Sequence, residues 1–228
     1  MLRDSVPSSQ SPKSTDLSAE QDIEVSLILT FIDNHISGFS GHYLSLNESD
    51  KENRISDLLV HHLELCKDES GGFFPFRFSK NPTQKESTKE TDIGVFVRTR
   101  DREPVPIFEF EAKRFSETSK NKEYISGIRG GIERFKRGDH SSHLKVCGMF
   151  GYVQSRTCSE WISNVNNWID ELSKNNTDKT IDWTGNEEKL TTIASLTSVE
   201  KLYSSNKRET SKDKIALWHY FIDLMSKN

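Results

Sequence analysis

The sequence predicts an α/β chain in which helices flank a mixed central sheet. Three observations carry that expectation. The first third shows apolar residues at helical spacing, two short strand-like runs then follow around a turn, and a helical segment leads from them into another strand-like run.

Ser18 followed by Gln21 reads as a capping box. The helix it opens carries Ile23, Leu27, Ile28, Phe31, Ile32, His35 and Ile36 near 3.6-residue spacing, until Gly38 and Gly41 break it. A second helix starts near Ser49, with Ile55, Leu58, Leu59 and Leu63 on one side, and Gly71 and Gly72 stop it. Phe73 to Phe78 reads as a short strand. The runs Asp92 to Arg98 and Ile107 to Lys113 are strands joined by a hairpin turn in TRDREP. Lys120 to Phe135 is helical in pattern, Val146 to Val153 is strand-like, and Trp161, Val165, Trp168, Ile169 and Leu172 mark an amphipathic helix. Beyond Asn175 the pattern is faint, and Ile215 to Leu224 fits a strand or a helix.

With 228 residues, the chain divides into an expected disordered tail over 1–17, rich in Ser and Pro, and a single domain over 18–228. No apolar run approaches the roughly 18 residues of a membrane span. The N-terminus lacks the apolar stretch of a secretory signal. Three scattered cysteines make neither a disulfide framework nor a zinc spacing. These features point to a cytoplasmic protein with no membrane partner. A net charge of −4 neither advertises nor excludes nucleic-acid binding, because a metal-dependent site needs acidic ligands and only a local basic surface.

The informative chemistry lies in Asp92 and in Glu109-Phe110-Glu111-Ala112-Lys113. Alternation along a strand puts Phe108, Phe110 and Ala112 on one face and Glu109, Glu111 and Lys113 on the other. A turn centred on Asp101 and Arg102 sets Asp92 opposite Glu111, with Cβ atoms about 5 Å apart. Like charges opposed on a sheet repel, so a bound cation is a natural reason for the pair. An all-oxygen site suits Mg²⁺, with Mn²⁺ as a substitute. Lys113, one pleat on, is placed to hold a water and offset negative charge. The plainer reading is a solvated strand face with an ion pair.

In order and spacing, Asp92, a hairpin, then Glu111-x-Lys113 resembles the PD-(D/E)XK nucleases, the restriction-endonuclease-like fold. The likeness spans about Glu52 to Gln154, with Thr91 where the family usually has proline. It implies a core in α-β-β-β-α-β order. It also implies metal ligation by Asp92 and Glu111, water activation by Lys113, and hydrolysis of DNA phosphodiesters, with RNA left open. An acidic residue on the preceding helix often completes such sites, and Glu52 matches that place. Tyr124 to Val153 is similar to small bacterial members associated with genome defence. A homodimer or a partner protein would then supply specificity. The alternative is a catalytically inactive nuclease fold that serves for nucleic-acid binding or complex assembly.

Glu52 is equally explained as the distal half of a capping box with Ser49. Glu109 reads as a salt-bridge partner, and Gln154 as a strand-end polar residue. Lys120 to Lys145 is locally basic, and Arg129, Arg134 and Lys136 are the candidates for backbone phosphates. His140 and His143 sit in a loop without a third ligand at a recognised spacing. Gly130-Gly131 lacks a phosphate-loop signature and reads as a packing or kink site. Trp161 and Trp168 read as core.

Overall fold

The computed structural model describes residues 14–46, 51–82, 91–97, 105–175 and 180–225. Three helices come first: α1 (Ser14–His35), α2 (Ser37–Leu46) and α3 (Glu52–Glu69). Most of the expected tail lies outside the described residues. Helix α1 begins at Ser14, so Ser18 is inside it rather than at its cap. Gly38 and Gly41 do not break a helix either. The chain turns at Ile36, and both glycines lie within α2. Of the expected α1 stripe, Ile28, Phe31, Ile32 and Ile36 are buried, whereas Ile23 is exposed. In α3 the predicted Ile55, Leu58, Leu59 and Leu63 are all buried.

Among the described residues seven strands form one mixed sheet: β1 (Phe76–Lys80), β2 (Ile93–Val97), β3 (Phe108–Phe115), β4 (Val146–Val153), β5 (Thr191–Leu196), β6 (Val199–Lys207) and β7 (Lys214–Asp223), in the order β1-β2-β3-β4-β7-β6-β5. Among the described residues, only the β3-β4 and β4-β7 pairs are parallel. Parallel neighbours require a crossover. Between β3 and β4 it is a 3₁₀ turn at Asn121–Tyr124 followed by α4 (Gly131–Arg137); between β4 and β7 it begins with α5 (Cys158–Asn175). The expected α-β-β-β-α-β succession is present from α3 to β4. Lys120 to Phe135, in contrast, is not one helix. Gly127 takes φ +106°, a backbone state that ends helical continuity and starts α4 afresh beyond Gly130. Ile215 to Leu224 resolves as strand β7, beside β4.

Each sheet face carries its own core. Phe108, Phe110 and Ala112 of β3 pack with Phe150 and Tyr152 of β4 beneath α1 to α3. Phe115, Met149, Val153 and Phe221 pack on the opposite face with Trp161, Val165 and Ile169 of α5. Trp161 stacks on Phe115 with ring centroids 4.9 Å apart, as expected of a core residue. Among the described residues no helix is long and apolar enough to cross a membrane.

His219 of β7 is fully buried, between the Tyr124 hydroxyl (2.8 Å from Nδ1) and Ser204 Oγ (2.9 Å from Nε2). Burial pushes its pKa down to about 3. An unfolded histidine takes up its proton near 6.5, so stability present above that value is lost as the pH falls toward about 3. The loss is ~2 kcal/mol between pH 6.5 and 5. Urea denaturation at pH 7 and 5 is expected to show this extra loss in the native protein and not in His219→Gln. Equal losses in both would mean that His219 is not held neutral.

Candidate active site

The hairpin register places the acidic residues. Ile93 faces Phe110, Gly94 faces Glu109 and Val95 faces Phe108. The same register carried one residue back sets Asp92 opposite Glu111, as the turn centre predicts; the turn itself lies outside the described residues. Beyond Phe110, β3 continues alongside β4 after β2 has ended, and among the described residues no strand pairs its other edge there. Two carboxylates occupy that edge. Asp92 Oδ2 accepts the Ala112 N–H at 2.7 Å, and Glu52 Oε2 accepts the Arg114 N–H at 3.1 Å.

Glu52 stands in the first turn of α3, with Lys51 at the N-cap. Ser49, its proposed capping partner, lies outside the described residues. The helix thus delivers its first acidic side chain to the end of the sheet. Lys113 Nζ completes the group: it donates to Glu111 Oε1 at 2.7 Å and to the Ala112 carbonyl at 2.9 Å, and pairs with Glu52 at 3.7 Å.

Glu111 is almost wholly buried, and its Oε1 also accepts Nη1 of Arg134 at 2.6 Å. Its Oε2 makes no hydrogen bond, although it is buried. His140 Nε2 lies 3.8 Å from it. Burial pushes the His140 pKa down to about 4, more than Glu111 beside it raises it, so the ring is neutral at pH 7 and this contact is no ion pair. Gly131, at the start of α4, admits this packing: a Cβ there would lie 2.3 Å from Met149 Cε.

Burial and the neighbouring Glu111 push the Asp92 pKa up to about 7, against the opposing pull of Lys113 and the Ala112 N–H. Burial likewise raises Glu52, only partly offset by Lys113. Burial works against charge on Lys113, but Glu111, Glu52 and Asp92 outweigh it and its pKa is raised. The ammonium therefore stays protonated.

The chain matches no family model, no curated protein and no solved structure. What the site can do rests on its own geometry.

Asp92, Glu111, Lys113 and Glu52, expected to act together, are brought together. Arg134 joins them through Glu111. Arg129 is exposed on a neighbouring groove of about 390 Å³ that Ile128, Arg134, Arg137 and Asp139 also line. Lys136 does not belong with the phosphate candidates. It is fully buried, ion-paired with Glu188 and 4.4 Å from the centre of the Trp183 ring. It lies on the inward side of α4, and a buried ammonium needs a carboxylate, which Glu188 supplies. Glu109 shares the face of Glu111 but is engaged by Ser141 and, at 3.3 Å, Thr91. His140 was missed as a neighbour of Glu111. Its one sequence signal was its place in the loop after α4, the helix that covers β3.

The donor set is all oxygen, with the carboxylates of Asp92, Glu111 and Glu52 near the two cations Lys113 and Arg134. Among the described residues no group of three His, Cys, Asp or Glu is gathered as a ready metal centre. Glu111 faces Lys113 and Arg134 instead. The buried, unpartnered Glu111 Oε2 and the raised Asp92 pKa are nevertheless what a missing cation would leave behind. The residues fit a hard divalent ion.

Proposed function

We propose that this protein is a Mg²⁺-dependent nuclease of the PD-(D/E)XK type, hydrolysing DNA phosphodiesters. The observation that carries this reading is the convergence of Asp92, Glu111 and Lys113 at the place where β3 outruns β2, with Glu52 arriving from α3. The succession from α3 to β4 agrees with the restriction-endonuclease-like core. Asp92 and Glu111, with Glu52 as a further ligand, would hold the ion. Bound there, Mg²⁺ would stabilise charge on the phosphoryl oxygens and lower the pKa of a water.

The chain's own residues set up the rest. Asp92 and Glu52 are fixed by the β3 amides, so their second oxygens are oriented before any ligand arrives, that of Glu52 toward Lys113. Lys113 stays charged. It is positioned to hold the attacking water by hydrogen bonding and to offset negative charge as the phosphorus–oxygen bond forms. No side chain is required to form a covalent intermediate. Specificity would come from a partner protein or a second copy, and a role in prokaryotic genome defence is consistent with such a compact enzyme.

Cleavage of plasmid and single-stranded DNA in Mg²⁺ and Mn²⁺ tests the reading, with RNA as a third substrate. The native protein is expected to cut only with metal, and Lys113→Ala to lose at least ~10²-fold in rate. The alternative, a catalytically inactive module for binding or assembly, predicts no cleavage of any substrate and no thermal stabilisation by either ion.

A further inference from the structure

Arg134 faces two environments. One end of its guanidinium is spent on a carboxylate only 1% exposed, at 2.6 Å, while 23% of its side chain remains exposed. It also lines the groove shared with Ile128, Arg129, Arg137 and Asp139. In that groove Arg137 is already paired with Glu133 at 2.7 Å, so Arg134 and the exposed Arg129 are the arginines placed to meet a polyanion's backbone, with Asp139 beside them. Glu111, meanwhile, has both its cationic partners on Oε1 and no hydrogen bond on its buried Oε2. A divalent ion and Arg134 would compete for the same carboxylate. A planar guanidinium matches a phosphate as well as it matches a carboxylate.

We propose that Arg134 is an exchangeable ligand, which neutralises Glu111 in the metal-free protein and turns into the groove to bind a nucleic-acid phosphate when a divalent cation takes Glu111. Lys113 stays behind, held by the Ala112 carbonyl and Glu52. This inference rests on the nuclease reading and adds a regulation to it: metal and nucleic acid bind cooperatively. By linkage, each tightens the other by the same factor. The protein would then engage nucleic acid firmly only when loaded for hydrolysis.

The test uses the full chain, a short fluorescent DNA duplex, and Ca²⁺ as an oxygen-seeking ion with which binding is read by anisotropy rather than by turnover. Ca²⁺ is expected to tighten duplex binding by the native protein about tenfold over EDTA. In Arg134→Gln the enhancement should shrink to about twofold or less, and the slope of log K against log salt in Ca²⁺ should fall by about one. Without DNA, Arg134→Gln is expected to bind Ca²⁺ severalfold more tightly than native by calorimetry, because no arginine has to leave Glu111. An arginine that only contacts phosphate would not move that value.

Arg129→Gln supplies the contrast: weaker DNA binding by a similar factor in EDTA and in Ca²⁺, with Ca²⁺ affinity unchanged. If Arg134→Gln folds poorly, Arg134→Lys keeps a cation near Glu111 without the guanidinium fork and is expected to lose half or more of the enhancement. Equal Ca²⁺ enhancement in native and variant, or unchanged Ca²⁺ affinity in Arg134→Gln, overturns the exchange while leaving the metal site standing. Failure of Ca²⁺, Mg²⁺ and Mn²⁺ to bind the native protein overturns both, and is recognised by melting temperatures that no ion shifts in native or Glu111→Gln protein.

Discussion

Asp92→Asn is expected to stabilise the metal-free protein at pH 8 while lowering metal-dependent cleavage by roughly 10³-fold. The two effects have one cause. Burial and the adjacent Glu111 lift the Asp92 pKa from its ordinary 3.8 to about 7. Between those values the unfolded chain releases a proton that the folded chain keeps. Stability present below 3.8 is therefore lost as the pH rises, and the loss is complete above about 7. At 1.36 kcal/mol per unit the ceiling is ~4 kcal/mol, reduced by whatever solvent reaches this half-buried group. Asparagine removes the charge and keeps an oxygen to accept the Ala112 N–H, so the β3 edge stays capped. Urea denaturation in EDTA is expected to show Asp92→Asn ahead of native at pH 8 and nearly level with it at pH 4. Mg²⁺ should then raise the native melting temperature and leave the variant's unmoved. A variant less stable than native at pH 8 would mean that Asp92 serves the fold rather than a cation.

The same residue shows why the site was legible from sequence. A hairpin's register follows from its turn, and alternation follows from the pleat, so Asp92, Glu111 and Lys113 could be set on one face without any tertiary information. Glu52 was harder. Its role depends on where α3 ends up relative to β3, which local patterning does not fix, and a capping-box explanation was equally good. The carboxylate is used instead by the amide of Arg114, 62 positions away in sequence.

The C-terminal strands were obscure for a specific reason. Strand β6 turns Lys201, Ser204 and Asn206 inward beside Val199 and Leu202, so three of its five buried positions are polar and the period-two hydrophobic signal is broken. Each of those residues has a side-chain partner, although Asn206 Oδ1 makes no hydrogen bond among the described residues. Lys201 reaches Asp33 at 2.6 Å, Ser204 meets His219, and Asn206 donates to Ser204 at 2.8 Å. Strand β5 is largely exposed and carries no apolar face to read. A partner as distant as Asp33 is from Lys201, 168 positions away, leaves no local signature.

Lys136 is where charge counting misled most, and it carries the second large expected effect. A basic run on a short helix reads as solvated, yet α4 has an inward side, and Lys136 occupies it with none of its side chain exposed. Glu188 answers it and also accepts the Thr184 N–H at 2.9 Å and the Lys207 N–H at 3.3 Å. The pair thereby ties α4 to the segment before β5 and to the end of β6. Lys136→Met leaves the Glu188 charge buried without its cation, and is expected to cost ~3–5 kcal/mol by urea denaturation. Combining it with Glu188→Gln removes both charges but keeps an oxygen for only one of the two amides, which bond to different oxygens of Glu188, so the double variant should recover part of the loss, ~1 kcal/mol or more. Burial depresses the Lys136 pKa despite Glu188, so Glu188→Gln alone can be relieved by loss of the ammonium proton and should cost less than Lys136→Met. None of these changes is expected to alter the salt dependence of DNA binding by the folded protein. A salt slope lowered by about one in Lys136→Met, with stability intact, would instead bring Lys136 out of the core and back to the phosphate backbone.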